Sequence, residues 1–241
     1  MNIIRKWSYK SAYYITQQMK ESHQHRSVLY YGFQMLFGET LKIILIIALS
    51  IIFDAFLPTI LMLAVFWLSR SFAGGYHMDT NSRCTVTTLA IFALAILIAK
   101  YSVSLIFLPN IINNENISIN VMNIMLTTIT IFILLAFIYC MRAAVKFAPR
   151  DHPNKPIIDP SRRKRLKRLA IAFNIIWASA AAILLYSSSL SGSVSGNMSN
   201  LSGAAYDYQL IMSACLGALI AYFSITPSGF RFFDIIAGKS Y

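Results

Sequence analysis

The sequence predicts an all-α polytopic integral membrane protein with about six hydrophobic helical segments and an N-terminal amphipathic helix. Three observations carry that prediction. The 241 residues are 57% hydrophobic and only 12% charged, where a water-soluble domain carries about a quarter charged residues. Apolar runs recur along the chain, several reaching the ~20 residues that a helix needs to cross a bilayer. Lys and Arg fall in alternate connections between those runs, as in multi-pass membrane proteins.

The whole chain reads as a single membrane domain. Residues 1–27 are polar and basic, and Ile4, Trp7, Tyr14 and Ile15 recur at helical spacing. That pattern suits a helix lying on a membrane surface, where it could also dock a substrate helix; a solvated helix is the plain alternative. Residues 28–69 form a first pair of segments. Leu41 to Phe53 is too short to span alone, and starting at Tyr30 places Glu39 and Lys42 inside it, three residues apart, where they can pair on one helix face. Asp54 and Pro58 mark a turn before Thr59 to Ser69, so this pair is either two spans or a short, re-entrant hairpin. Residues 70–84 are a polar island. Residues 85–141 hold two spans, Thr85 to Leu108 and Ile119 to Met141, joined by an Asn-rich loop. Residues 142–168 are a basic linker with Pro149, Pro153, Pro156 and Pro160. Residues 169–226 hold two more spans around a Ser/Gly/Asn loop from Ser187 to Asp207, and 227–241 read as a C-terminal tail.

The N-terminal stretch to Arg26 contains five Lys and Arg, the island two, the Asn-rich loop none, the proline-rich linker ten, the Ser/Gly loop none and the tail two. The alternation puts both termini, the island and the basic linker in the cytoplasm. It also accounts for the net charge of +12 without nucleic acid as a partner. No apolar run in the first 26 residues is long enough for a cleavable signal. Three cysteines without CxxC or metal-ligand spacing give neither a disulfide framework nor a metal site, and no cofactor is expected.

Chemistry concentrates in the island, which holds one of four histidines and one of three cysteines. Imidazole and thiol together make a cysteine nucleophile: His77 takes the proton and the Cys84 thiolate attacks a carbonyl. After Gly74-Gly75 breaks the chain, Asp79, Thr80, Asn81 and Ser82 are all good N-cap types, so a new helix should start there with Cys84 in its first turn. Unpaired amides and the helix dipole favour a thiolate at that position. The bland alternative makes Cys84 a small apolar residue opening a membrane helix and His77 an interfacial side chain. Arg70 either holds a substrate carboxylate or oxyanion, or anchors a helix end to the cytoplasmic side. Gly74 and Gly75 are oxyanion candidates through their amides, or a plain turn. Asp79 is better placed as a cap than as a partner of His77. Cys140 and Cys215 read as packing residues within spans, and His23, His25 and His152 as solvated side chains. Arg162, Arg163, Lys164 and Arg165 are substrate-binding candidates for an acidic peptide or anionic lipid, or topology determinants alone.

The run Arg70, Gly74-Gly75-Tyr76-His77, Cys84 resembles the active-site signature of the AgrB family, membrane cysteine endopeptidases of peptide quorum sensing. A second stretch is similar too: Ala148-Pro149, then Pro153-Asn154-Lys155-Pro156-Ile157, then the basic run Arg162 to Arg168. Together the likeness extends over roughly Tyr9 to Ile225. The resemblance implies a pro-peptide substrate with an amphipathic leader, a signal core and an acidic C-terminal tail. It implies removal of the tail through an acyl-enzyme on Cys84 and closure of a thiolactone or lactone ring. It implies a bacterial cytoplasmic membrane location and a homodimer. Two other classes compete: a small transporter exporting a peptide, with Glu39, Lys42, Asp54 and Lys100 as functional intramembrane charges, and a non-enzymatic scaffold that recruits a partner through its basic linker.

Overall fold

The computed structural model describes residues 2–19, 23–76, 78, 80–111, 118–150, 159–194 and 198–238, which form eight helices and no strand. They are α1 (Asn2–Gln18), α2 (His23–Ile52), α3 (Phe56–Ala73), α4 (Asn81–Ile111), α5 (Ser118–Phe147), α6 (Pro160–Val194), α7 (Met198–Phe223) and α8 (Pro227–Ile236). Five of these are long and apolar enough to cross a membrane, and α7 with α8 make a sixth candidate, bent by 84° at their junction. Large apolar side chains such as Ile52, Trp67, Leu135, Ile176 and Ile183 point outward, as a lipid-facing surface requires. This is a multi-pass helical membrane protein.

The first segment divides differently from the expected 1–27 unit. α1 ends at Gln18 and α2 already runs from His23. Ser8, Ala12 and Thr16, four residues apart, form the buried face of α1, while Trp7 and Tyr14 stand outward. Small residues let α1 lie close on its neighbour, and Tyr9 meets the edge of Tyr30 on α2.

The 30 residues of α2 leave ample length for a span, and Lys42 does pair with Glu39 one turn before it. α2 ends in a Schellman arrangement: Ala55 N–H donates to Ser50 O at 2.9 Å and Asp54 N–H to Ile51 O at 3.1 Å. Asp54 takes the left-handed position, with φ 48°. α3 follows at once, so the turn expected at Asp54 and Pro58 is present, and both members of the pair have spanning length.

α3 and α7 are the central pair. Gly217 on α7 comes so close to α3 that a Cβ there would lie 2.4 Å from the Met62 carbonyl oxygen. Ala214, Ala218 and Ala221 keep the same side of α7 small and buried, the usual device for close helix packing in lipid. On one flank, Val65, Ile133, Trp177, Ile211 and Tyr222 make a core with α5 and α6. On the other, Ile46, Met62, Phe92 and Ile96 make a second core with α2 and α4, Phe66 meeting Phe92 edge-on.

Two connections differ from the sequence reading. The Ser187–Asp207 stretch is largely helical: α6 continues to Val194 and α7 starts at Met198. Ser188 Oγ reaches Asp207 Oδ2 at 2.6 Å and ties the two helices there. The expected tail contains α8, capped by Thr226, whose Oγ1 accepts from Gly229 N–H at 3.1 Å, with Pro227 in the first turn. Much of the second family-like stretch, residues 151–158, lies outside the described residues. At the start of α6, Asp159 accepts from the Ser161 backbone N–H and hydroxyl, which hold its carboxyl below the ordinary carboxylate range.

Candidate active site

α4 begins where the capping residues predict, and Cys84 occupies its first turn, its N–H bonded to Thr80 O at 3.1 Å. The thiol is half-buried. Cys140 and Cys215, by contrast, are fully enclosed among core side chains. His77 and Asp79 lie outside the described residues. Their described neighbours Tyr76 and Met78 line the same cavity as Cys84.

That cavity has a volume of about 560 Å³ and lies between α2, α3, α4 and the end of α7. Its walls are mostly apolar, with Ile46, Leu63, Phe66, Trp67 and Phe92 among them. The charged groups Glu39, Lys42 and Arg70 share it with Cys84. Lys42, itself buried, bonds Glu39 and also donates to Cys84 Sγ at 3.5 Å. This contact joins residues 42 positions apart, and no sequence pattern announces it.

The island backbone is held from several directions. Arg70, in the last turn of α3, donates to the Tyr76 carbonyl and lies within electrostatic range of Cys84 and Glu39. Gly74 has φ 79°, and its N–H is taken up by Arg70 O at 2.9 Å, capping α3. The chain pairs there with Arg150, whose N–H reaches Ala73 O at 2.9 Å. A Cβ on Gly74 would lie 2.3 Å from Arg150 O, so only glycine fits. A Cβ on Gly75 would stand 2.8 Å from Ser224 Oγ and 3.1 Å from Arg70 Cζ.

α8 completes the frame. Tyr76 is buried, stacks on Phe233, meets Phe230 edge-on and donates its hydroxyl to Asp234 Oδ1 at 2.7 Å. Its N–H bonds Ser224 O at 3.2 Å. At the other end of the island, Arg83 donates to Ala237 O, just past α8. One short helix therefore holds both flanks of the segment that carries His77 and Cys84. The sequence reading missed this role; its one signal was Thr226-Pro227, an N-cap followed by proline. Arg162, Arg163, Lys164 and Arg165 lie exposed in the first turns of α6, and none lines the cavity.

The family model for AgrB, accessory gene regulator B, matches residues 8–225. The chain belongs to the AgrB family. Among curated relatives, this AgrB-family chain is 26% identical over 174 residues to an AgrB-like protein 2 of Clostridium perfringens strain 13, covering 71% of the chain and 73% of that relative. It is 25% identical over 174 residues to an AgrB-like protein of Clostridium perfringens strain SM101, with the same coverage. It is 26% identical over 153 residues to an AgrB-like protein of Clostridium acetobutylicum, 64% of the chain and 62% of that relative. No solved structure matches.

Proposed function

We propose that this AgrB-family protein is a membrane-embedded cysteine endopeptidase that matures a quorum-sensing pro-peptide. The observation that carries the reading is Cys84 in the first turn of α4, lining a mostly apolar cavity that it shares with Glu39, Lys42 and Arg70. Cys84 Sγ attacks the carbonyl carbon of the peptide bond before the acidic tail. An S–C bond forms, the C–N bond breaks, and the new amine receives the proton that His77 took from the thiol. A thiol or hydroxyl within the signal core then attacks the acyl carbon, closing the ring, and its proton returns to the departing Cys84 sulfur. Exclusion of water by the apolar walls favours ring closure over hydrolysis.

The remaining assignments belong to the same proposal. A cytoplasmic orientation of the termini and the site is supported by the alternation of basic connections, and a thiol stays reduced in that compartment. Arg162, Arg163, Lys164 and Arg165, exposed at the start of α6, attract the acidic tail or anionic lipid at the membrane surface. The homodimer rests on the family resemblance. Transport draws less support, because the intramembrane charges have partners: Lys42 bonds Glu39, and Lys100 bonds Phe53 O at 2.6 Å with Asp54 4.0 Å away.

The test is tail release from a pro-peptide by purified protein in lipid. Wild type should release the tail, Cys84→Ala should release none, and His77→Ala should be slower by about 100-fold or more. Undiminished release by Cys84→Ala would overturn the assignment.

A further inference from the structure

Lys42 stands apart from every other charged residue described within the spanning helices. It is 5% exposed, it comes from α2 rather than from the island, and its ammonium reaches the sulfur that the mechanism uses. A buried cation is costly unless something compensates its charge, and Glu39 supplies one partner. That pairing alone does not require contact with Cys84. The Glu39 side chain is 56% exposed, whereas Lys42 is turned inward against the thiol. Among the described residues Arg70 is the other cation lining the cavity; its guanidinium donates to the Tyr76 carbonyl and acts on Cys84 through space rather than by a hydrogen bond. Among the described residues, Lys42 is thus the cation in direct contact with the reacting atom.

We propose that Lys42 is a further catalytic residue: its ammonium stabilises negative charge on Cys84 Sγ when the proton leaves, and again when the sulfur departs from the acyl group. Glu39 keeps the ammonium in place from one turn earlier on α2. The inference rests on the reading of Cys84 as the nucleophile. It assigns the electrostatic work to a spanning helix outside the signature segment, in a low-dielectric cavity where a fixed cation acts strongly. No proton transfer by Lys42 is required, so its charge, rather than its acidity, is what matters.

The experiment is alkylation of Cys84 by iodoacetamide at fixed neutral pH, in protein reconstituted into lipid. It is read by mass spectrometry of the peptide containing Cys84, so Cys140 and Cys215 do not contribute. Lys42→Met should slow alkylation about tenfold or more, the scale of a lost hydrogen bond to a charged group. Lys42→Arg, which keeps the cation, should stay within about threefold of wild type. The pair Lys42→Met with Glu39→Gln removes both charges together and should remain at least about fivefold slow. Recovery of that pair to the wild-type rate would overturn the proposal, because Lys42 would then serve only to neutralise Glu39. Equal losses in Lys42→Arg and Lys42→Met would also overturn it, pointing to packing, as would a Lys42→Met rate equal to wild type. Alkylation is independent of peptide cleavage. A wild type that cleaves nothing, alongside slow alkylation of Lys42→Met, would sink the peptidase reading, and with it the catalytic role, while leaving the electrostatic coupling of Lys42 to Cys84 in place.

Discussion

Cys84 takes its position from the start of α4, after a run of capping-type residues in the sequence, and its surroundings from three other helices. The first source is visible in the sequence; the second is not. Helix α4 starts at Asn81, within a run of residue types that favour helix starts. The assignment of Cys140 and Cys215 to packing follows from their apolar setting, and both are fully buried. Replacing either by Ala should therefore leave tail release near wild type, with a stability loss of about 1 kcal/mol, measured by thermal melting in detergent. Gly74 is different. Its positive φ and the 2.3 Å clash awaiting any Cβ predict that Gly74→Ala destabilises the site by about 1–3 kcal/mol. Tail release should fall with it, and an unchanged rate would show that the turn tolerates displacement. The Lys42–Cys84 contact was illegible because periodicity reports one helix at a time. Pairing across 42 residues appears only when α2 and α4 meet.

At the scale of elements, the apolar runs marked the membrane helices well, since burying a spanning segment in lipid demands length and hydrophobicity that composition records. Their ends were poorly marked. α6 and α7 continue through Ser- and Gly-containing sequence, helped by bonds such as Ser188 to Asp207 that no hydropathy window sees. α8 escaped notice because ten residues with a single capping signal resemble a tail. Its grip on the island leads to a prediction. Tyr76→Phe leaves Asp234 without the Tyr76 hydroxyl, a loss of about 1–3 kcal/mol. Tail release should slow while insertion and folding persist, checked by parallel melting and cleavage assays. The α3–α7 contact supplies another. Gly217→Leu pushes a side chain into the Met62 carbonyl 2.4 Å from its own Cβ and should lower the melting midpoint by several degrees. A midpoint equal to wild type would mean that the two helices separate freely.

For the whole molecule, charge and hydropathy predicted a bundle of about six membrane segments, and the described helices supply five with a sixth made by α7 and α8. What they could not give is the way α3 and α7 divide the bundle into two cores, because that depends on which small faces meet. Orientation has its own test. A cysteine placed at Arg163, exposed at the start of α6, should react with a membrane-impermeant maleimide in inside-out vesicles and stay protected in sealed right-side-out cells. The reverse pattern would invert the topology and put the thiol on the outer face. The proposed reaction requires Cys84 to carry the peptide as a covalent intermediate. Its most direct test is acid-quenched mass spectrometry of wild type mixed with a pro-peptide in lipid. An acyl adduct should form on the peptide containing Cys84, absent in Cys84→Ala and strongly delayed in His77→Ala. An adduct on another residue, or tail release with no adduct at any time point, would contradict it.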